Sequence, residues 1–591
     1  EGSGTVTIKG CSHSEGINTL SGAGTGYIIT GFNDSAKTVT LNKVDGLAVG
    51  DYVWVRALYL KPQKVQITAI NNLTVTLNTT ITLDSNTAYL VKENNTSSYA
   101  CHAEGYSSVA TGGMSHAEGF MSAALGIYSH AEGFKTLAHG EAAHTEGRIT
   151  KATGNYSHAE GNNTSATNTG AHAEGDSTTA SGTASHAEGY QTVASGQYSH
   201  AENNKTVASG MYSHAEGNFT KAEGNYSHAE GSYTNASASN SHTEGHGTTT
   251  SSSVNVTISS DTSEGFASHA EGNGTKASGN NAHSEGRGTT ASGASSHAEG
   301  TITIASGSHS HAEGYSSRAS GNCAHAEGYG TVAGNDGTPT TSTDLNAGYY
   351  AHAEGNGTKA SGNSAHAEGK GTIASGNYSH AEGETSTASG RCSHAEGGNT
   401  KATVYAAHAE GHSTEASGNQ AHAEGNTTKA SGSQSHAEGH STVAIGNSSH
   451  SEGKSTTASG EASHAEGHGT VAGSTGTTTT SSDTTAGYFA HAEGNGTKAS
   501  GNSAHAEGKG TIASGNFSHA EGQNTTASGT ASHAEGFQTV ASGQCSHAEG
   551  NGTKASGNSA HAEGTNTEAI GDHSHAEGNN TSATNTGAHA E

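Results

Sequence analysis

A histidine every fourteen residues constrains this chain more than any other feature. From His102 to His242 the step never slips, and each histidine is followed two residues later by a glutamate. The runs His269 to His325, His352 to His464 and His491 to His589 keep the same step; with His13, 34 of the 41 histidines stand in register. So do 35 glutamates, counting Glu1. The unit around them, SerHisAlaGluGly, first occurs intact at Ser115 to Gly119. A period this strict predicts a solenoid, in which each repeat is one turn of backbone stacked on the next.

Composition sets what such a solenoid can contain. Only 29% of the 591 residues are hydrophobic and 87 are glycine, so no large apolar core can form. The net charge of −29 comes from the repeat, since 35 of the 53 acidic residues are the in-register glutamates and the other 18 are opposed by 24 Lys and Arg. That balance leaves no basic stripe for nucleic acid and no polybasic patch for a membrane surface. The sequence shows no 18-residue apolar run for membrane insertion and no signal peptide. It starts and stops in mid-repeat at Glu1 and Glu591, which reads as a fragment whose export signals could lie outside it. Of the five cysteines, Cys11, Cys323, Cys392 and Cys545 stand two residues before a register histidine and Cys101 one before. They read as occupants of small or variable positions, and a Cys11–Cys101 bridge is disfavoured because the two side chains point differently in a strand.

Three regions follow. Residues 1–21 are first solenoid coils, and 22–98 an inserted small β-barrel-like domain holding the only Trp, Trp54, and one of two prolines, Pro62. Its β-branched alternations at Gly26 to Ile29, Thr38 to Leu41, Tyr52 to Leu58, Val65 to Ile70, Leu73 to Leu77 and Ala88 to Val91 read as short strands, compatible with OB-like or SH3-like barrels. Residues 99–591 are the 14-residue-repeat shaft, with long loops at about 246–265, 329–349 and 468–488, where the step gains 13 residues. These loops and the barrel are the places where a ligand could be met.

Within a coil, SerHisAlaGluGly is followed by two variable residues, Thr, a variable residue, AlaSerGly and two more variable residues. Period-2 alternation puts His and Glu on one face of the first strand and Ser and Ala on the other. In the second strand Thr192 and Ala194 share a face; Val193 and its equivalents Lys151, Thr179, Lys276, Arg318, Ile373 and Glu415 point to solvent. Small residues then face each other across a thin roll, with glycines at the corners. Two alanines per coil bury little apolar area against the entropy of ordering fourteen residues, so a lone chain is disfavoured. The His/Glu face is outside the roll yet does not vary. It is therefore expected to meet its copies in other chains, as an interface ladder exemplified by His102, Glu104, His116, Glu118, His186, Glu188, His200, Glu202, His366, Glu368, His505 and Glu507.

Other chemistries fit the pattern less well. A hydrolytic triad such as Ser115, His116 and Glu118 would need residues on opposite faces to converge, so no enzyme and no catalytic residue is expected. No cofactor signature is present. Metal is not expected as a constitutive component, although the same His/Glu pairs are candidate ligands: filling every layer at about 4.8 Å spacing would line up mutually repelling ions. An ice-binding threonine ladder is the least favoured alternative, because the threonine faces inward.

The coil resembles the head repeat of YadA-like trimeric autotransporter adhesins, where an AsnSerValAlaIleGly strand is followed by two residues and SerxAlaxGly. SerHisAlaGluGly occupies the place of SerValAlaIleGly, ThrxAlaSerGly that of SerxAlaxGly, and residues 443–446 read ValAlaIleGly. HAEG repeats are also similar to segments of phage or prophage tail-fibre and appendage proteins. The resemblance implies an all-β, left-handed parallel β-roll, three chains around an axis and a structural role as an extracellular fibre or adhesin, on a cell surface or a virion, with a possible surface receptor. The departure is that His and Glu replace the family's two apolar residues per coil, as His102 and Glu104 do. Confined carboxylates need compensation; the expected source is protonated histidine bonded to glutamate, which would raise the histidine pKa, lower that of glutamate, and make the trimer most robust in mildly acidic solution.

Overall fold

In the computed structural model, residues 5–7, 12–16, 19–21, 24–33, 35–56, 62–81, 88–93, 100–247, 249–250, 265–334, 348–472 and 487–591 are described. They fall in two compact units, Glu1–Ser296 and His297–Glu591. Every named element is a β-strand.

Unit 1 begins with β1 (Val6–Thr7), β2 (His13–Ser14) and β3 (Leu20–Ser21). The chain then leaves the solenoid and returns at β10 (His102–Ala103) and β11 (Val109–Ala110). The stacking ignores the departure: β2 pairs in parallel with β10, His13 opposite His102, and β3 with β11, Leu20 opposite Val109. From there each coil contributes two strands, for example His186–Tyr190 and Val193–Ala194. Each lies on its own equivalent one coil away, His186 on His200 and Val193 on Val207. Parallel pairing at a fixed fourteen-residue step places like residue on like residue, so any property of one position becomes a line along the unit.

Inside the coil that line is alanine. Ala187, Ala194, Ala201 and Ala208 are fully buried, as are Thr192 and Thr206, with Ser185 and Ser199 nearly so. A methyl group is all that fits between two strands of one coil. Unit 2 repeats the arrangement with a second alanine column, including Ala423, Ala430, Ala437 and Ala444. The solvent-facing position of the second strand is half-buried or exposed at Lys151, Thr179, Val193, Lys276, Arg318, Ile373 and Glu415.

The corners correct the expectation that glycines make every turn. The glycine of HisAlaGluGly does take positive φ, +104° at Gly189. The glycine of AlaSerGly does not: Gly182 is required because a Cβ there would collide with the Gly196 carbonyl of the next coil. Left-handed backbone instead falls on variable residues, including Gln191 (φ 56°), Tyr198 (φ 56°) and Ala184 (φ 52°). Each costs about 1 kcal/mol or more for a non-glycine residue. What holds them is coil-to-coil hydrogen bonding: Gln191 N donates to Asp176 O, Tyr198 N to Thr183 O and Ala184 N to Thr169 O, each at 2.8 Å. A further link comes from asparagine after AlaSerGly or its equivalent, whose Oδ1 accepts from the preceding coil's backbone, as Asn225 does from Met211 N at 2.9 Å.

Between β3 and β10, the strands β4 (Gly24–Asn33), β5 (Thr38–Leu41), β6 (Tyr52–Arg56), β7 (Gln63–Asn71), β8 (Thr74–Leu77) and β9 (Ala88–Glu93) close a barrel in the order β4-β5-β8-β7-β6-β9. Alternation sorts its side chains. Tyr27, Ile29, Val53, Val55, Ala88 and Leu90 point into the barrel. Ile28, Trp54, Tyr89 and Val91 point out, onto Leu20, Val109, Ala123, Leu125 and Leu137 of the solenoid. The barrel is thus seated on the second-strand face, which explains why that face is apolar and buried at Val109, Ala123 and Leu137. His139, a histidine outside the register, is half-buried, and its partial burial with nearby Lys43 pushes its pKa down.

The three excursions of the repeat fall largely on residues 251–264, 335–347 and 473–486, outside the described residues. The solenoid is continuous across each, pairing His242 with His269, His325 with His352 and His464 with His491. The expected loop starts at 246, 329 and 468 are too early. Second strands form first at Thr249–Thr250, Val332–Ala333 and Val471–Ala472, because the coil still supplies its next pairing partner. Cys11 lies outside the described residues; Cys101 is buried, while Cys323, Cys392 and Cys545 are exposed, free thiols.

Candidate functional site: the histidine and glutamate face

The first strand presents its histidine and glutamate outward while the alanine between them is sealed inside, as His186, Ala187 and Glu188 show. Like-on-like stacking turns the imidazoles into a column. His172 and His186 have ring centroids 4.6 Å apart with planes 8° from parallel, and His186 and His200 are 4.7 Å apart. In unit 2, His366 and His380 are 4.8 Å apart, and His505 stacks at 4.9 Å on His491 and 4.7 Å on His519.

Beside this column runs the carboxylate column. His Nε2 to Glu Oε2 is 3.4 Å at His102–Glu104, 3.6 Å at His116–Glu118, 3.5 Å at His186–Glu188 and 3.9 Å at both His200–Glu202 and His366–Glu368. These are electrostatic contacts, longer than good hydrogen bonds. Accordingly Nε2 of His116, His172, His186, His200 and His214 is buried without a hydrogen-bond partner, although the side chains as a whole are about a third exposed: 35% at His186 and 36% at Glu188. The glutamates also reach across coils, with Glu202 Oε1 3.9 Å from Nε2 of His214.

The electrostatics reverse the expected protonated ladder. Burial is the first cause and pushes His144, His158, His214, His366, His422 and His505 below the usual imidazole value; His186 is lowered to about 4. Each ring loses water to the rings on either side, and a proton on one is repelled by its neighbours, His172 and His200 in the case of His186. Nearby carboxylates, Glu174 for His186, pull the other way without winning. Near neutral pH these seven histidines are neutral imidazoles.

Ser115 is buried inside the coil while His116 stands on its outer face, so the Ser115, His116 and Glu118 triad is not assembled. The serine of the repeat serves the turn instead: Ser185 Oγ donates to Gly182 O at 2.8 Å and Ser199 Oγ to Gly196 O at 2.8 Å. The threonine ladder, 0% exposed at Thr192 and Thr206, lies within the coil and offers ice no surface. Thr206 Oγ1 donates to Glu202 O at 3.0 Å, tying the two strands of a coil together.

Sequence reasoning passed over two aromatic columns. At left-handed corners, Tyr198, Tyr212 and Tyr226 stack with centroids 4.8 and 5.1 Å apart while remaining about half exposed. Tyr106, Phe120 and Phe134 stack similarly at 5.0 Å. The recurrence of aromatics at two fixed offsets, two residues before the histidine and four after it, was the available signal.

A search of curated proteins returned no match to the chain. The family model described as the YadA head domain repeat matches at residues 173–199, 187–213, 367–391, 430–449, 520–544 and 562–584, together less than a quarter of the sequence. The matched stretches lie in both units. Sequence match and strand pairing together describe a parallel β-solenoid whose coils are similar to the YadA head domain repeat, a repeat of adhesin type.

Proposed function

We propose that the chain is the shaft of a homotrimeric extracellular fibre, its coils forming left-handed rolls whose His/Glu faces meet around a common axis. The observation that carries this reading is the His/Glu face itself. It is outward, a third exposed and lined with buried, unpartnered Nε2 atoms, yet keeps one composition from coil to coil while the second-strand face varies freely. Solvent alone gives no reason for that constancy. Contact between copies does, and similarity to a repeat of adhesin type supports the same assembly. The role is mechanical and adhesive, with no catalytic chemistry, on a cell surface or as a phage tail-fibre segment. Any receptor contact belongs to the barrel or the three excursions, since the coils display only small repeated and variable solvated residues. Sedimentation of the purified chain tests the assembly: a mass of three chains is expected, and a monodisperse monomer overturns it.

A further inference from the structure

The charge of the His/Glu face is one-sided. Lys92–Asp51, Lys370–Glu384 and Lys429–Glu415 pair lysines with carboxylates outside the ladder. What the ladder offers Glu174, Glu188 and Glu202 is an imidazole whose Nε2 lacks a hydrogen-bond partner, at His172, His186, His200 and His214. The donors come in threes. The ligand atoms of His172, Glu174 and His186 all lie within 4.8 Å of one another, as do those of His186, Glu188 and His200, and of His200, Glu202 and His214, with further triplets along both units. In the last, Glu202 places one oxygen 3.9 Å from each imidazole, Oε2 toward His200 and Oε1 toward His214.

We propose that the ladder is a linear array of binding sites for a divalent transition metal of the zinc class, each built from two stacked histidines of adjacent coils and the glutamate between them. Two imidazole nitrogens and one carboxylate oxygen are a donor set such ions take, leaving at least one position for water. Donors about 2.0–2.2 Å from a tetrahedral ion are roughly 3.3–3.6 Å apart, so the 3.9 Å imidazole–carboxylate separations close by a few tenths of an ångström while the parallel rings of His200 and His214, 4.8 Å apart, tilt toward each other by side-chain rotation. The site needs Nε2 free of hydrogen bonds and beside the carboxylate, as His200 and His214 stand to Glu202.

Stoichiometry follows from the geometry. Each imidazole has one Nε2 and can serve one ion, so ions occupy alternate gaps between coils. Doubling the spacing halves the repulsion that a fully occupied line would suffer. It also sets one double positive charge against two glutamates, which neutralises the ladder. All donors come from one chain, so the array stands whether or not three chains assemble.

The test uses the full chain, stripped with chelator and dialysed, then equilibrated with Zn²⁺ or with Mg²⁺ and assayed for ions per chain and for the metal's X-ray absorption fine structure. Zinc is expected to saturate near one ion per two coils with imidazole nitrogens in its shell, and magnesium to bind far fewer. Replacing His172, His200 and His228 by glutamine breaks every gap from His158 to His242 and should remove about three ions, whereas the same change at the out-of-register His412, His440 and His468 removes none. If the first triple variant misfolds by circular dichroism, changing Glu160, Glu174, Glu188, Glu202, Glu216 and Glu230 to glutamine, which keeps the rings and removes the carboxylate from every one of these gaps, should weaken zinc binding at least tenfold over the same coils. Equal uptake of magnesium, equal losses from the two histidine triples, a shell without imidazole, or one ion shared per three chains would each overturn the array. The sedimentation mass of the metal-free protein reports the trimer separately, so a failed array and a failed trimer are distinguishable.

Discussion

Glu202 and His214 meet across a coil boundary, Oε1 to Nε2 at 3.9 Å, while Glu202 Oε2 stands equally far from His200 in its own coil. A carboxylate shared between two stacked imidazoles makes the face a collective object. A proton on His214 is repelled by the rings on either side, His228 and His200.

The sign of the pH dependence follows. With histidine pKa values lowered on folding, to about 4 at His186, the unfolded chain binds more protons than the folded one between that value and the unfolded value of about 6.5. Stability contributed by these rings is fully present above about pH 6.5 and is lost as pH falls toward the folded value. Unfolding in denaturant, followed as a rate because a fibre of this kind need not equilibrate, should be faster at pH 5 than at pH 8. An equal or slower rate at pH 5 would restore the protonated ladder.

Backbone handedness gives two substitutions of opposite sign. Gly383 sits at φ +100° with the Gly397 carbonyl where a Cβ would go, so Gly383→Ala should cost about 1–3 kcal/mol. Ala184 is exposed at φ 52°, and Ala184→Gly should gain roughly 0.5 kcal/mol as relief of left-handed strain outweighs the added chain entropy. Urea midpoints of the two variants check both signs.

The interior tolerates no growth. Ala423 is fully buried in the unit 2 column, and Ala423→Leu should destabilise by about 1–3 kcal/mol or more, because the two strands of a coil cannot part without breaking the ladders above and below. Val443→Thr, on the half-buried outer position of the second strand, should fall within about 0.5 kcal/mol of the parent. Thermal melting of both distinguishes the faces.

The barrel's seat is a separate prediction. Leu125 is 5% exposed beneath β4, in the cluster that Trp54, Tyr89 and Val91 cover. Leu125→Ala should cost about 2–4 kcal/mol. Amide exchange should rise in β9 (Ala88–Glu93) and at Val109, while exchange at Ala194 stays unchanged.

Legibility in the sequence tracked the period of each feature. Ser185, Ala187, Thr192 and Ala194 could be placed inside because alternation in a strand is rigid and the repeat supplied many concordant copies. The left-handed corners at Tyr198, Gln191 and Ala184 were not legible from identity, since the constraint lies in a backbone hydrogen bond to the previous coil. The barrel's seat left a readable trace, three successive apolar residues, Val109, Ala123 and Leu137, at an otherwise variable position, but its meaning needed the outward side chains of β4, β6 and β9. The histidine charge was misjudged because sequence shows the pairing partner, Glu, and conceals the two neighbouring rings that remove water.

The proposed trimer is defined by which face of the coil meets its copies. Spin labels placed singly at His436→Cys, on the ladder, and at Val443→Cys, on the second strand of the same coil, measure this by dipolar coupling between chains, with Cys323, Cys392 and Cys545 changed to Ser. A trimer closed on the His/Glu face gives interchain coupling at both sites, with the shorter distance at position 436. Absence of coupling, or a shorter distance at position 443, would contradict it.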